Sequence, residues 1–116
     1  FQPLLNGAAG SAKDMFVVKF APNGSRSWGT YVGGSTNEAC GGIACDMLTG
    51  DMYISGSATG IDFPVFAGHQ MVYGGGLGQS DAFLFKFDPA GARIWATYYG
   101  GVLVENGYNV TVDKIG

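Results

Sequence analysis

Charge is scarce in this sequence: Lys, Arg, Asp and Glu make up 13% of its 116 residues, and only six residues are basic. Those six are scattered singly against nine carboxylates, for a net charge of −3. No basic stripe is present to neutralise a phosphate backbone, so no nucleic-acid partner is expected. Long apolar runs are missing as well. The longest are four or five residues, far short of the roughly 20 that a membrane helix needs, and no membrane span is expected. The chain opens at Phe1 without a basic n-region and an apolar h-region, so no signal peptide is visible.

Cysteine and histidine are nearly absent. Cys40 and Cys45 are the two cysteines. Five residues apart on one strand, they would project from opposite faces, which argues against pairing and for two small buried apolar side chains. His69 is the single histidine. With one imidazole and no Ser-Asp spacing around it, the sequence assigns no catalytic residue, no metal and no cofactor. The Gly-rich stretch from Gly74 to Gly78 lacks the Lys-Ser/Thr and the helix of a phosphate-binding loop and reads as linker.

Glycine, by contrast, is abundant: 21 residues, about two and a half times the average share. Without a Gly-X-Y period, so many glycines mean tight turns between short strands, because glycine alone enters positive φ freely. Apolar residues reach 47% and aromatics 14%, so the chain is not disordered and has much to bury. The expected fold class is all-β.

The strongest signal is internal. Shifting the chain by 67 residues lays Asp14, Phe16, Lys19, Phe20, Pro22, Gly24, Arg26, Trp28, Thr30, Tyr31, Gly33, Gly34, Glu38 and Asp46 on identical residues from Asp81 to Asp113. That is 14 identities in an ungapped window of 33. Phe1-Gln2 also aligns with His69-Gln70 once one residue is allowed for in the loop that follows.

Within one period four strand-like runs are bounded by turn residues: Asp14 to Ala21, Arg26 to Val32, about Cys40 to Asp46, and Asp51 to Gly56. Ala21-Pro22-Asn23-Gly24 and its copy Asp88-Pro89-Ala90-Gly91 predict hairpin turns. In the second copy, Gly107 to Asp113 predicts the third strand. The four runs of a period are expected to form one antiparallel sheet, separate from the sheet of the next copy. Phe, Trp and Tyr fall on both faces of such a sheet, so it must stack against others of its kind, as in a propeller or a solenoid. The linker from Gly60 to Ser80, roughly 20 residues, is too long for a hairpin loop and fits a crossing between sheets. The long period and the Pro-Gly hairpins favour a propeller. Residues 1–13 then end one linker, 14–80 form a blade with its linker, and 81–116 supply the first three strands of the next blade. A ring of four to eight such blades needs roughly 270 to 540 residues, so its remainder comes from further sequence or from neighbouring subunits.

These residues resemble a known family, the SBBP (seven-bladed) bacterial β-propeller repeats. The resemblance rests on Asp81-Ala82-Phe83-Leu84-Phe85-Lys86-Phe87-Asp88-Pro89-Ala90-Gly91, on Trp95-Ala96-Thr97-Tyr98-Tyr99-Gly100-Gly101, and on Asp62-Phe63-Pro64 followed by Gln70 and Tyr73-Gly74-Gly75-Gly76. It covers essentially the whole chain and departs from the family pattern at Cys40-Gly41-Gly42. The resemblance implies large, mostly secreted or cell-surface bacterial proteins without common catalytic residues.

A residue that recurs in each repeat has a scaffold explanation, whereas a ring usually carries one site built from residues that differ. Asp14/Asp81, Glu38/Glu105 and Asp46/Asp113 are therefore read as turn caps or salt-bridge partners of Lys19 and Lys86. Asp46 to Asp51 reads as a plain turn rather than a calcium loop. Asn109-Val110-Thr111 is a formal glycosylation sequon placed mid-strand and expected to be unused. The candidate binding loop is the aromatic linker, with Phe63, Phe66, His69 and Tyr73. The expected function is a non-enzymatic extracellular module for protein or glycan binding or for structural assembly. Its alternatives are a piece of a propeller hydrolase or lyase with its catalytic residues elsewhere, and a filament subunit.

Overall fold

A computed structural model describes residues 3–4 and 12–115, so the expected alignment of Phe1-Gln2 lies outside the described residues. Among the described residues there are six strands and no helix: β1 (Met15–Phe20), β2 (Arg26–Val32), β3 (Glu38–Cys45), β4 (Met52–Ala58), β5 (Asp81–Phe87) and β6 (Arg93–Tyr99). All pairings are antiparallel. The two Pro-Gly hairpins form as expected. Gly24 N donates to Ala21 O at 2.9 Å and Gly91 N to Asp88 O at 3.1 Å, with Gly24 and Gly91 at φ of 82° and 86°, a conformation that costs any other residue strain. Each hairpin also carries a bulge on its second strand, where Ser27 and Ile94 are the extra residues opposite Lys19-Phe20 and Lys86-Phe87.

The sheets divide the chain differently from the repeat. β1 and β2 form a two-stranded ribbon, and β3, β4, β5 and β6 form one four-stranded sheet in that order. Strands from both copies thus share a sheet, which corrects the expectation of one sheet per period. Neither sheet closes on itself. The cause is the match between β4 and β5, whose seven residues pair without interruption from Met52↔Phe87 to Ala58↔Asp81. That register puts Met52, Ile54 and Ala58 on the same face as Phe83, Phe85 and Phe87, all buried. The crossing between sheets is made instead by the short Gly33-to-Asn37 loop.

The linker is long for another reason. It stays with the four-stranded sheet and covers the free edge of β6, where Phe66 and Ala96 exchange backbone hydrogen bonds of 2.9 and 2.8 Å and Tyr98 N donates to Gln70 O at 3.0 Å. A bare edge strand is a template for unwanted pairing, and this segment caps it.

The β1–β2 ribbon lies on the Phe83/Phe85/Phe87 face with Met15, Val17 and Val32 turned inward. Phe85 and Phe87 are fully buried and stack at 4.4 Å; burying a side chain of this size contributes about 1.5–3 kcal/mol. Trp28 closes one end, 6.1 Å from Phe87.

Two expectations in β3 and its copy do not hold. A bulge at Gly41 makes Cys40 pair with Gly56 and Cys45 with Met52, so the extra residue restores the parity that a spacing of five breaks, and both cysteines share a face. They are free and exposed rather than buried. Gly107 to Asp113 forms no strand. The segment instead crosses the sheet: Gly107 N donates to Gly56 O, and Gly107 and Tyr108 press so closely on Gly41 that a Cβ there would overlap the backbone. Asn109 is exposed and irregular, not mid-strand.

Candidate functional site

The linker aromatics divide into two pairs. Phe63 is 2% exposed and belongs to the core, stacked on Phe83 at 4.5 Å and tilted against Tyr98 at 5.8 Å. Tyr73 is half-buried, 5.7 Å from Tyr98, and its hydroxyl donates to Gln79 O at 2.6 Å. Both pin the linker down. Phe66 and His69 are exposed. Phe66 lies under the Arg93 guanidinium at 4.7 Å, while His69 borders a shallow depression of about 360 Å³ with Ala67, Leu84 and Trp95. Of the four residues, these two are the most open to a partner.

Gln70 and Tyr98, which the sequence marked only as part of the repeat pattern and gave no role, hold this loop in place. Gln70 Nε2 donates to Val72 O, Gly100 O and Asp81 Oδ2, and its Oε1 accepts from Gly100 N at 3.0 Å. The buried Tyr98 hydroxyl donates to Gly60 O at 2.8 Å and accepts from Phe63 N at 3.2 Å. Burial pushes its pKa upward. Gln70 could have been found from its place in the resemblance to SBBP repeats and from its alignment with Gln2. Tyr98 could have been found from its place on the Phe83 face.

Four of the recurrent carboxylates, Asp14, Glu38, Asp81 and Glu105, gather around the Gly-Gly turns. Glu38 Oε2 accepts from Gly34 N at 3.2 Å, and Glu105 Oε2 accepts from Gly101 N at 2.9 Å. Asp14 and Glu38 converge on Gly33 as Asp81 and Glu105 converge on Gly100, leaving no room for a Cβ at either glycine. Asp62 joins the first cluster by accepting from Ser35 N at 2.9 Å. Glu38 is 6% exposed, and its Oε1 accepts no hydrogen bond among the described residues. Burial first, then the nearby Asp14 and Asp62 charges, raise its pKa to about 7, against the opposing pull of the Gly34 N–H.

The turn-capping reading holds for Asp46. It accepts from Leu48 N at 2.8 Å and Thr49 Oγ1 at 2.9 Å, and these hydrogen bonds lower its pKa. The lysine partners are not the recurrent carboxylates. Lys86 pairs with Asp51 at 2.8 Å and lies over the Tyr53 ring, and Lys19 donates to Pro89 O at 3.0 Å. Both stems cross half-buried faces, so each ammonium takes the acceptor at the strand end that its stem can reach. Among the described residues no group of three or more His, Cys, Asp or Glu is arranged to hold a metal ion. Nor, among the described residues, is any helix long and apolar enough to cross a membrane.

Two apolar faces complete the inventory. The outer face of the β1–β2 ribbon shows Phe16 and Phe20, 73% and 61% exposed. The opposite face of the four-stranded sheet shows Leu84, Trp95 and Tyr99. No protein-family model matches the chain, and no curated protein matches it.

Proposed function

We propose that the chain is a run of consecutive repeats of a β-propeller of the SBBP type, acting outside a bacterial cell as a non-enzymatic module that binds protein or glycan or builds a surface assembly. The observation that carries this reading is the way the sheets stack. The inner face of β1–β2, with Val17, Lys19 and Trp28, lies on Phe83, Phe85 and Phe87. The two faces in contact are unlike, and each has a copy on the far side of the molecule. Unlike faces that repeat along a chain stack in one direction, as blades do.

The resemblance to SBBP repeats supports the extracellular and non-enzymatic parts of the proposal. The clamping of the recurrent carboxylates to Gly-Gly turns supports a scaffold role for them. Phe66 and His69, exposed on the linker, are the residues offered to a ligand.

Electron microscopy of the protein together with its adjacent repeats tests the architecture: a ring with a central channel is expected, and an open stack would overturn it. Glycan-array and cell-surface binding by the same material test the role. Phe66→Ala and His69→Ala should weaken binding without unfolding the protein, and unchanged binding by both variants would remove the linker from the site.

A further inference from the structure

We infer that the linker end of the strands is a docking surface for a protein partner that presents aliphatic side chains bordered by Lys or Arg. The inference needs only the sheet topology and the loops at that end. It stands apart from the propeller reading and from Phe66 and His69.

The two repeats agree in their hairpins but differ in the loop after each Gly-Gly pair. Ser35-Thr36-Asn37 in the first becomes Val102-Leu103-Val104 in the second, and these three are 76%, 69% and 56% exposed. The fold explains the polar version: Asn37 Oδ1 accepts from Lys13 N at 3.1 Å, and Asn37 N donates to Thr59 Oγ1 at 3.2 Å. Aliphatic side chains can accept no such bond, and facing water they contribute nothing to the core. The linker enlarges the patch. Gln70 Nε2 donates to both Val72 O and Gly100 O, at 2.9 and 3.2 Å, and a Cβ on Gly76 would lie 3.8 Å from Val102 O. Linker and loop thus run side by side, which brings the exposed Met71, Val72 and Leu77 next to the three aliphatic loop residues. Single apolar residues on a surface are ordinary, whereas a contiguous patch marks a contact. Its presence in one repeat and not the other is what a site, rather than a scaffold, requires.

Neighbouring repeats leave these positions open. The Ser35-to-Asn37 loop is followed by a complete four-stranded sheet and is touched by the linker after it, where Asp62 accepts from Ser35 N at 2.9 Å. Ser35 and Asn37 are exposed nonetheless. The Val102-to-Val104 loop has the preceding linker against it, with Glu105 N donating to Ser80 O at 2.7 Å, and is exposed as well. Each flanking neighbour is therefore present once, and neither covers the patch.

Charge selects the partner. The strand directions put Asp14, Glu38, Asp62, Asp81 and Glu105 at the linker end, where Lys13 is the one base among the described residues. Lys19, Arg26, Lys86 and Arg93 lie at the hairpin end. An aliphatic patch with an acidic rim repels anionic lipid and acidic glycan and favours an apolar protein segment that carries positive charge.

Selection from a random peptide library on the immobilised chain tests this, with counter-selection on a variant that carries the first repeat's own loop: Val102→Ser, Leu103→Thr and Val104→Asn together. The fold accepts that loop at the equivalent turn, so the variant should keep the parent's melting temperature. Should it melt early, Val72→Ser on the linker takes its place with the same expected loss. Enriched peptides should carry Leu, Ile or Val beside Lys or Arg. The most enriched peptide, made synthetically, should shift the amide resonances of Val72, Val102 and Val104 and bind the variant about tenfold more weakly. Its binding should also weaken as salt rises. Phe66→Ala should bind it as the parent does, which separates this surface from the aromatic linker. No enrichment, enrichment of acidic peptides, or equal binding to parent and variant would overturn the inference. So would binding to vesicles of phosphatidylcholine and phosphatidylglycerol that the variant loses, since the patch would then be a lipid contact.

Discussion

Phe63 stacks on Phe83 with ring centroids 4.5 Å apart, so the linker inserts a side chain into the core of the sheet whose edge it covers. Phe63 also lies edge-on to Phe85 at 6.3 Å. Phe63→Ala should therefore cost about 3–5 kcal/mol, the range for emptying a buried phenylalanine site. Phe66→Ala removes an exposed ring and its contact with Arg93, and should cost no more than about 1 kcal/mol. Urea denaturation of the two variants checks this, and equal losses would show that the linker is not anchored as described.

Tyr98 tests the same anchorage through its hydroxyl. Tyr98→Phe keeps the ring contacts with Phe63 and Tyr73 but strands Gly60 O and Phe63 N, both of which it bonds. Leaving buried backbone groups unpaired costs about 1–3 kcal/mol. Amide exchange at Phe63 should accelerate more than at Phe85 in the centre of β5. A uniform acceleration would mean that the hydroxyl supports the whole sheet rather than the linker.

The period, the strands and the hairpins were legible because they depend on local chemistry: Pro-x-Gly turns and alternating Phe side chains read directly from the chain. Sheet membership was not. Identity over 67 residues fixes the length of the repeat, but any four consecutive strands can be cut from it as one sheet. The choice falls to the β4–β5 register, which joins residues on either side of a long linker. The bulge at Gly41 is unreadable for a similar reason, since it lies where Gly107 and Tyr108 approach from the far end of the chain. In the candidate loop, composition identified the aromatics but could not separate Phe63 and Tyr73, which are pinned, from Phe66 and His69, which are exposed.

Gly24 and Gly91 occupy the same turn position and differ in what faces them. Alanine at either meets the strain of positive φ, about 1 kcal/mol. At Gly91 it also meets the Trp28 ring, which must move off Phe87, adding about 1–3 kcal/mol of overpacking. Thermal unfolding of Gly24→Ala and Gly91→Ala at a concentration where the chain is monomeric should rank them in that order. Equal losses would show that Trp28 does not rest on the second hairpin.

Glu38 gives stability an unusual dependence on pH. Its pKa rises from 4.5 unfolded to about 7 folded, so between those values the native state holds a proton that the unfolded state has released. Stability from this group is full below pH 4.5 and falls as pH rises through 7. Asp46 works in the opposite sense: its pKa is lowered from 3.8 by the hydrogen bonds of its turn, so its contribution is lost in more acid solution. Of the two, Glu38 makes stability fall toward neutral pH and Asp46 makes it fall in strongly acid solution. Glu38→Gln keeps an oxygen for the Gly34 N–H and removes the titration, so its melting temperature should vary less between pH 4.5 and 7.5 and exceed that of the parent at the upper end. A parent whose melting temperature rises from pH 4.5 to 7.5 would show that Glu38 ionises without penalty, and that the carboxylates around Gly33 do not confine one another.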